Sequence, residues 1–180
     1  NVTLLEKAMQ AGARRIELCD NLAVGGTTPS YGVTKAAVEL AANYDTTIMT
    51  MIRPRGGDFV YTDLEIAIML EDIRLTAQAG SQGVVFGALT ADKKLDKPNL
   101  EKLIAASKGM EIVFHMAFDE LSDEDQLEAI DWLSQVGVTR ILTRAGVSGD
   151  SLEKRFAHYH RILEQAKGKI EILPGGGIDL

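Results

Sequence analysis

Short apolar runs alternate with amphipathic stretches along this chain at a spacing of about thirty residues, and that alternation leaves few folds open. The runs are Arg14–Cys19, Thr47–Arg53, Gly83–Gly87, Glu111–His115, Arg140–Thr143 and Ile170–Leu173. Each is too short for a helix and is bounded by polar or glycine-containing residues, as buried parallel strands are. A first helix is predicted over Thr3–Ala11, and five more over Val33–Ala42, Asp63–Ala79, Pro98–Ser107, Asp123–Val136 and Ser151–Ala166. Thr62 and Ser122 stand at helix starts with acids just behind them, which suits the positive end of the helix dipole. Pro98 fits a first turn, and Gly80, Gly109 and Gly137 stand where left-handed caps end helices.

Strict alternation implies one parallel sheet covered by helices. The architecture is either an open doubly wound sheet or a closed eight-stranded barrel. A doubly wound dinucleotide binder needs a Gly-x-Gly-x-x-Gly turn after an early strand, and this chain has none. Polar residues instead follow nearly every strand, which is how a barrel assembles its site. The expected fold is therefore α/β, a (β/α)8 TIM barrel, with residues 1–180 forming one partial barrel domain. A whole barrel takes about 250 residues. The first strand and the last helix-strand-helix portion are accordingly expected to be missing here.

Charge and cysteine content restrict the partners. A net charge of −7 argues against nucleic acid, which is met by clustered Lys and Arg. No apolar run is long enough for a membrane span, and no signal peptide opens the chain. Cys19 is the single cysteine, so no internal disulfide forms and a reducing cytoplasm is the expected compartment.

The chemistry-bearing residues cluster after the strands. Arg53 and Arg55, in Arg-Pro-Arg-Gly-Gly-Asp with Asp58, suit two-pronged binding of a carboxylate or phosphate. The alternative is that one of these arginines pairs with a nearby acid as scaffold. His115 ends an apolar strand, and Asp119 four residues later is placed to orient it as an acid/base unit. Glu17 alternates with Ile16 and Leu18, so it is expected to face the barrel interior, where a carboxylate calls for an arginine partner. Gly175 and Gly176 follow the last strand, where barrels bind phosphate through backbone N–H groups; a tight turn alone explains them equally. Cys19, with Met49, Met51 and Met116 on or near other strands, offers soft sulfur of the kind Cu(I) prefers, although core packing explains the same residues.

Taken together, Arg15-Ile-Glu-Leu-Cys19, Gly25-Gly-Thr-Thr-Pro-Ser30, Ile52-Arg-Pro-Arg-Gly-Gly-Asp-Phe59, Phe114-His-Met-Ala-Phe-Asp119 and Arg140-Ile-Leu-Thr143 resemble the CutC family of copper homeostasis proteins. The resemblance spans essentially the whole chain. It implies a (β/α)8 barrel and a cytoplasmic homo-oligomer linked to copper tolerance, with Cu(I) bound through cysteine. Cys19 matches a family cysteine, and Glu17, Arg53, Arg55, Asp58, His115 and Asp119 match the family's polar strand-end residues. Met116 departs from the pattern, since the family usually has arginine there. Two functions follow. One is copper homeostasis with Cu(I) as the metal. The other is a barrel enzyme acting on a small anionic substrate, with His115 and Glu17 in acid/base roles and Arg53 and Arg55 as an anion clamp.

Overall fold

The computed structural model describes residues 2–146 and 151–175. Six strands, β1 (Arg15–Leu18), β2 (Thr47–Met51), β3 (Gly83–Phe86), β4 (Glu111–Phe114), β5 (Arg140–Thr143) and β6 (Glu171–Pro174), form one sheet among the described residues. Their order is sequential and every neighbouring pair is parallel. A doubly wound sheet reverses its strand order at a switch point; this sheet does not. The helices are α1 (Leu5–Gln10), α2 (Tyr31–Ala41), α3 (Asp63–Gln78), α4 (Lys97–Ala106), α5 (Asp123–Gln135) and α6 (Leu152–Ala166). None is long and apolar enough to cross a membrane among the described residues.

Strand alternation sorts the side chains into two populations. Val84, Phe86, Ile112, Phe114 and Ile141 face the helices and pack with Met69, Ile73, Leu100, Leu103 and Ile130. Residues of the opposite parity, Met49, Met51, Val85 and Val113, pack with Cys19, Leu142 and Leu173 in a second, inner cluster. A parallel sheet with helices on one face and its own packed interior on the other is the layering of a barrel wall.

The caps explain where helices begin. Thr62 and Glu65 form a reciprocal capping box at α3, and Ser122 accepts from Asp125 N at α5. Two starts fall earlier than the apolar pattern predicts. Ser30 accepts from Val33 N, so α2 begins at Tyr31, and Asp96 accepts from Asn99 N, so α4 begins at Lys97. In both, a polar cap upstream of the first apolar residue satisfies the orphan N–H groups.

At the N-terminal ends of β1, β4, β5 and β6 the inward-facing residues are charged. Glu111 pairs with Arg15 at 3.0 Å and with Arg140, which also pairs with Glu171. This network lies at the end of a barrel associated with stability, away from the end where sites are built.

Candidate functional site

At the other end, inward parity brings Glu17, Cys19, Arg53 and His115 to the mouth of the curled sheet. The loop after β1 folds over them. Asp20 and Thr27 bridge, and Gly25 and Gly26 adopt φ of +87° and +91°. Both glycines are pressed against the site. A Cβ on Gly26 would lie 3.3 Å from Cys19 Sγ and 3.7 Å from Met51 Cε, and one on Gly25 would lie 3.2 Å from Arg53 Nη1. Only glycine meets both the left-handed backbone and the close approach.

Arg53 holds this loop down. The residue is 5% exposed. Nη1 donates to Val24 O at 2.9 Å and Gly26 O at 3.0 Å, and Nη2 donates to Gly57 O at 2.7 Å. Its backbone exchanges two further hydrogen bonds with Thr28. Arg55 turns the other way. It pairs with Glu65 of the capping box and with Asp58 at 3.0 Å, and its guanidinium lies over the Tyr61 ring. The expected two-arginine clamp with Asp58 is therefore not assembled: Arg55 and Asp58 belong to the α3 scaffold, and Arg53 alone faces inward.

The expected His115–Asp119 contact does not form either. Asp119 accepts from Thr143 Oγ1 and from Arg144 N at 3.1 Å. Thr143 shares the parity of helix-facing Ile141, and Tyr159 of α6 donates to its carbonyl at 2.7 Å. Asp119 is thus drawn to the helix side of the wall while His115 points inward. His115 Nδ1 accepts from Ala117 N at 3.2 Å, and its ring packs 4.8 Å from Phe59. Burial, and then the Arg53 charge, push the imidazole down to about 3, so it is neutral at physiological pH. The Asp119 carboxyl is raised by burial, an effect its hydrogen bonds from Thr143 and Arg144 oppose.

Glu17 lies in β1 beside Met49 in register. Burial raises its pKa and the Arg15 charge opposes that shift. Arg15 directs Nη2 to Glu111, so the expected arginine partner is shared away. A carboxyl raised above its unfolded value of 4.5 binds protons in the folded state that the unfolded chain has lost. Its contribution to stability therefore falls as pH rises from about 4.5 through the folded pKa. Glu17→Gln should make the protein more stable than wild type at pH 7, with the gap closing towards pH 4. Urea denaturation of both proteins across that range measures it; a constant gap would remove Glu17 as the cause.

Gly175 N donates to Thr143 O at 2.9 Å as the sheet ladder continues, so this N–H is not available to a phosphate. A Cβ there would meet Leu142 Cδ1 at 2.5 Å, which accounts for the glycine by packing. Gly176 lies outside the described residues. Cys19 Sγ contacts Glu17 O at 3.9 Å, and burial followed by the Glu17 charge pushes the thiol up to about 11. Met116 Sδ accepts from Arg144 Nη2 at 3.4 Å, and its Cε approaches Gly175 beside Leu142. Among the described residues no three His, Cys, Asp or Glu side chains come together to hold a metal ion. The soft donors at hand are the Cys19 thiol and the thioethers of Met49 and Met51.

Sequence reading missed Phe59 and Gly87. Phe59 packs its ring against both His115 and Arg53, each at 4.8 Å, and its outer side lines a cavity of about 520 Å³ with Leu89, Thr90, Lys93 and Glu120. Gly87 lies beneath the imidazole: a Cβ there would sit 2.8 Å from His115 Nδ1 and Cε1. Its parity with Val85 signals the inward face; its role as a seat for the ring has no signal in one sequence.

The model of the CutC family matches residues 1–180. A CutC family protein of Enterococcus faecalis is 51% identical over 178 residues, covering 99% of this chain and 85% of that protein. The human copper homeostasis protein cutC homolog is 44% identical over 171 residues, covering 95% of this chain and 60% of its own length. A crystal structure of CutC from Streptococcus agalactiae superposes with a TM-score of 0.94 at 44% identity, covering 99% of this chain and 85% of that one. An aldolase matches at a TM-score of 0.68 with 17% identity, a likeness of fold alone. On sequence and structure alike, the chain belongs to the CutC family.

Proposed function

We propose that this protein serves copper homeostasis by taking Cu(I) as its cargo at Cys19, with the Met51 thioether as a soft neighbour in the same cluster. The observation that carries the reading is that Cys19 Sγ and Met51 Cε both lie within 4 Å of the point where a Gly26 side chain would begin, inside an apolar cluster. Thiolate and thioether sulfur favour Cu(I) over harder ions. The acid/base alternative loses support from geometry, because among the described residues no carboxylate pairs with His115, and the ring is held neutral. Compartment and assembly follow the family expectation, a cytoplasmic homo-oligomer.

Because the thiol is pushed up to about 11, Cu(I) must displace its proton. Apparent affinity should rise by about tenfold per pH unit between pH 6 and 8. Anaerobic titration against a competing chelator measures this, and Cys19→Ser should abolish the stoichiometric binding. Tight binding that survives Cys19→Ser would reject the site.

A further inference from the structure

Among the buried polar atoms without a hydrogen-bond partner in the described residues, Arg53 Nε and His115 Nε2 lie together at the barrel mouth, with the equally unsatisfied Tyr61 hydroxyl beside Arg53. Arg53 and His115 are 5% and 3% exposed. A buried donor without a partner costs about 1–3 kcal/mol, so two packed against the same Phe59 ring mark a place where an acceptor belongs. They come from strands on either side of β3, whose continuation at Gly87 carries no side chain. The imidazole lies over that glycine, and Phe59 packs against both groups.

Charge narrows the acceptor. Among the described residues the Arg53 guanidinium has three carbonyl partners, the Tyr61 hydroxyl at its side and no carboxylate, so its positive charge is buried without a counter-ion. Buried charges are ordinarily paired. The imidazole fixes the remaining feature. Ala117 N donates to Nδ1, so in the neutral ring the proton sits on Nε2, which is a donor. The groups beneath Phe59 therefore present N–H donors, one neutral hydroxyl and one positive charge. That set repels a metal cation and matches the oxygens of an anion.

We propose that Arg53 Nε–H and His115 Nε2–H together hold the oxyanion group of a small ligand, a carboxylate or phosphate, under Phe59 and independently of Cys19. Phe59 shields the pair from bulk water, which strengthens both hydrogen bonds. The role assigned is recognition; neither side chain is given a proton-transfer step.

Arg53 also anchors the loop, so its removal confounds folding with binding. His115→Asn is the cleaner variant: the asparagine oxygen can replace Nδ1 as acceptor for Ala117 N–H while the Nε2 donor is lost. The test follows the His115 Nε2 nitrogen by long-range ¹H–¹⁵N NMR in the full-length protein, titrated at pH 7 with sodium acetate, inorganic phosphate or, as control, sodium chloride. The expected result is a saturable shift with acetate, phosphate or both, and affinity about tenfold weaker in His115→Asn by calorimetry. A response to acetate alone assigns a carboxylate ligand, and one to phosphate alone assigns a phosphorylated ligand. If neither anion moves the resonance more than chloride does, or if His115→Asn binds as wild type does, the proposal is overturned. The wild-type NMR titration decides the matter even if the variant does not fold.

Discussion

Gly83→Ala is expected to destabilise the protein by about 3 kcal/mol or more, the upper end of what overpacking costs. Gly83 is an inward-facing residue of β3, in register with Met49 of β2 and Glu111 of β4. A Cβ there would lie 2.6 Å from Glu111 O and 2.6 Å from Met49 Sδ. The methionine is flexible and can move. The carbonyl belongs to a strand held on both sides, so relief requires shifting backbone. For a domain of this size the loss corresponds to a fall in melting temperature of about 10 °C. Urea denaturation is the direct measure, and adding Met49→Ala separates the two contacts. A loss within about 0.5 kcal/mol, typical of surface substitutions, would show that β3 and β4 are not packed as described.

The second large effect is expected at Arg53. Arg53→Met keeps most of the volume and removes three hydrogen bonds to the carbonyls of Val24, Gly26 and Gly57. Each buried carbonyl left unsatisfied costs about 1–3 kcal/mol. Val24 and Gly57 lie in exposed segments, so water recovers part of this, and removing an unpaired buried charge offsets some more. The net loss should be about 2–4 kcal/mol. It should be accompanied by faster amide exchange across residues 20–28, which Arg53 fastens to the end of β2. Unchanged exchange there would mean that the loop is held by other contacts, chiefly the Asp20–Thr27 bridge and Thr28.

Several features of the site were legible from residue types and spacing. Parity along Arg15-Ile-Glu-Leu-Cys19 puts Glu17 and Cys19 on the inner face, because successive strand side chains alternate. The same rule places Arg53 two residues beyond Met51, and His115 two beyond Val113. What sequence spacing could not resolve was partnership. Asp119, four residues after His115, read as its orienting acid, yet the 3-10 turn Met116–Glu120 carries it to Thr143 on the far side of the wall. Arg53 and Arg55 read as a pair because both lie at or just beyond a strand end among glycines, yet Arg55 is claimed by Glu65, ten residues on in α3. The charged network of Arg15, Glu111, Arg140 and Glu171 was invisible for the same reason: its members are far apart in the chain and meet only when the sheet curls.

The chain's own order of apolar runs, caps and glycine stops determines strand, helix and parallel pairing, since each depends on interactions within a few residues or between successive units. The inward or outward facing of each strand residue follows from backbone pleating alone. Only the tertiary structure decides which inward groups satisfy one another, because burial, hydrogen bonding and charge act through distances that chain spacing does not encode. That is why Arg53 and His115, which the sequence offers with other partners, become two buried donors beneath Phe59 once the sheet has curved around them.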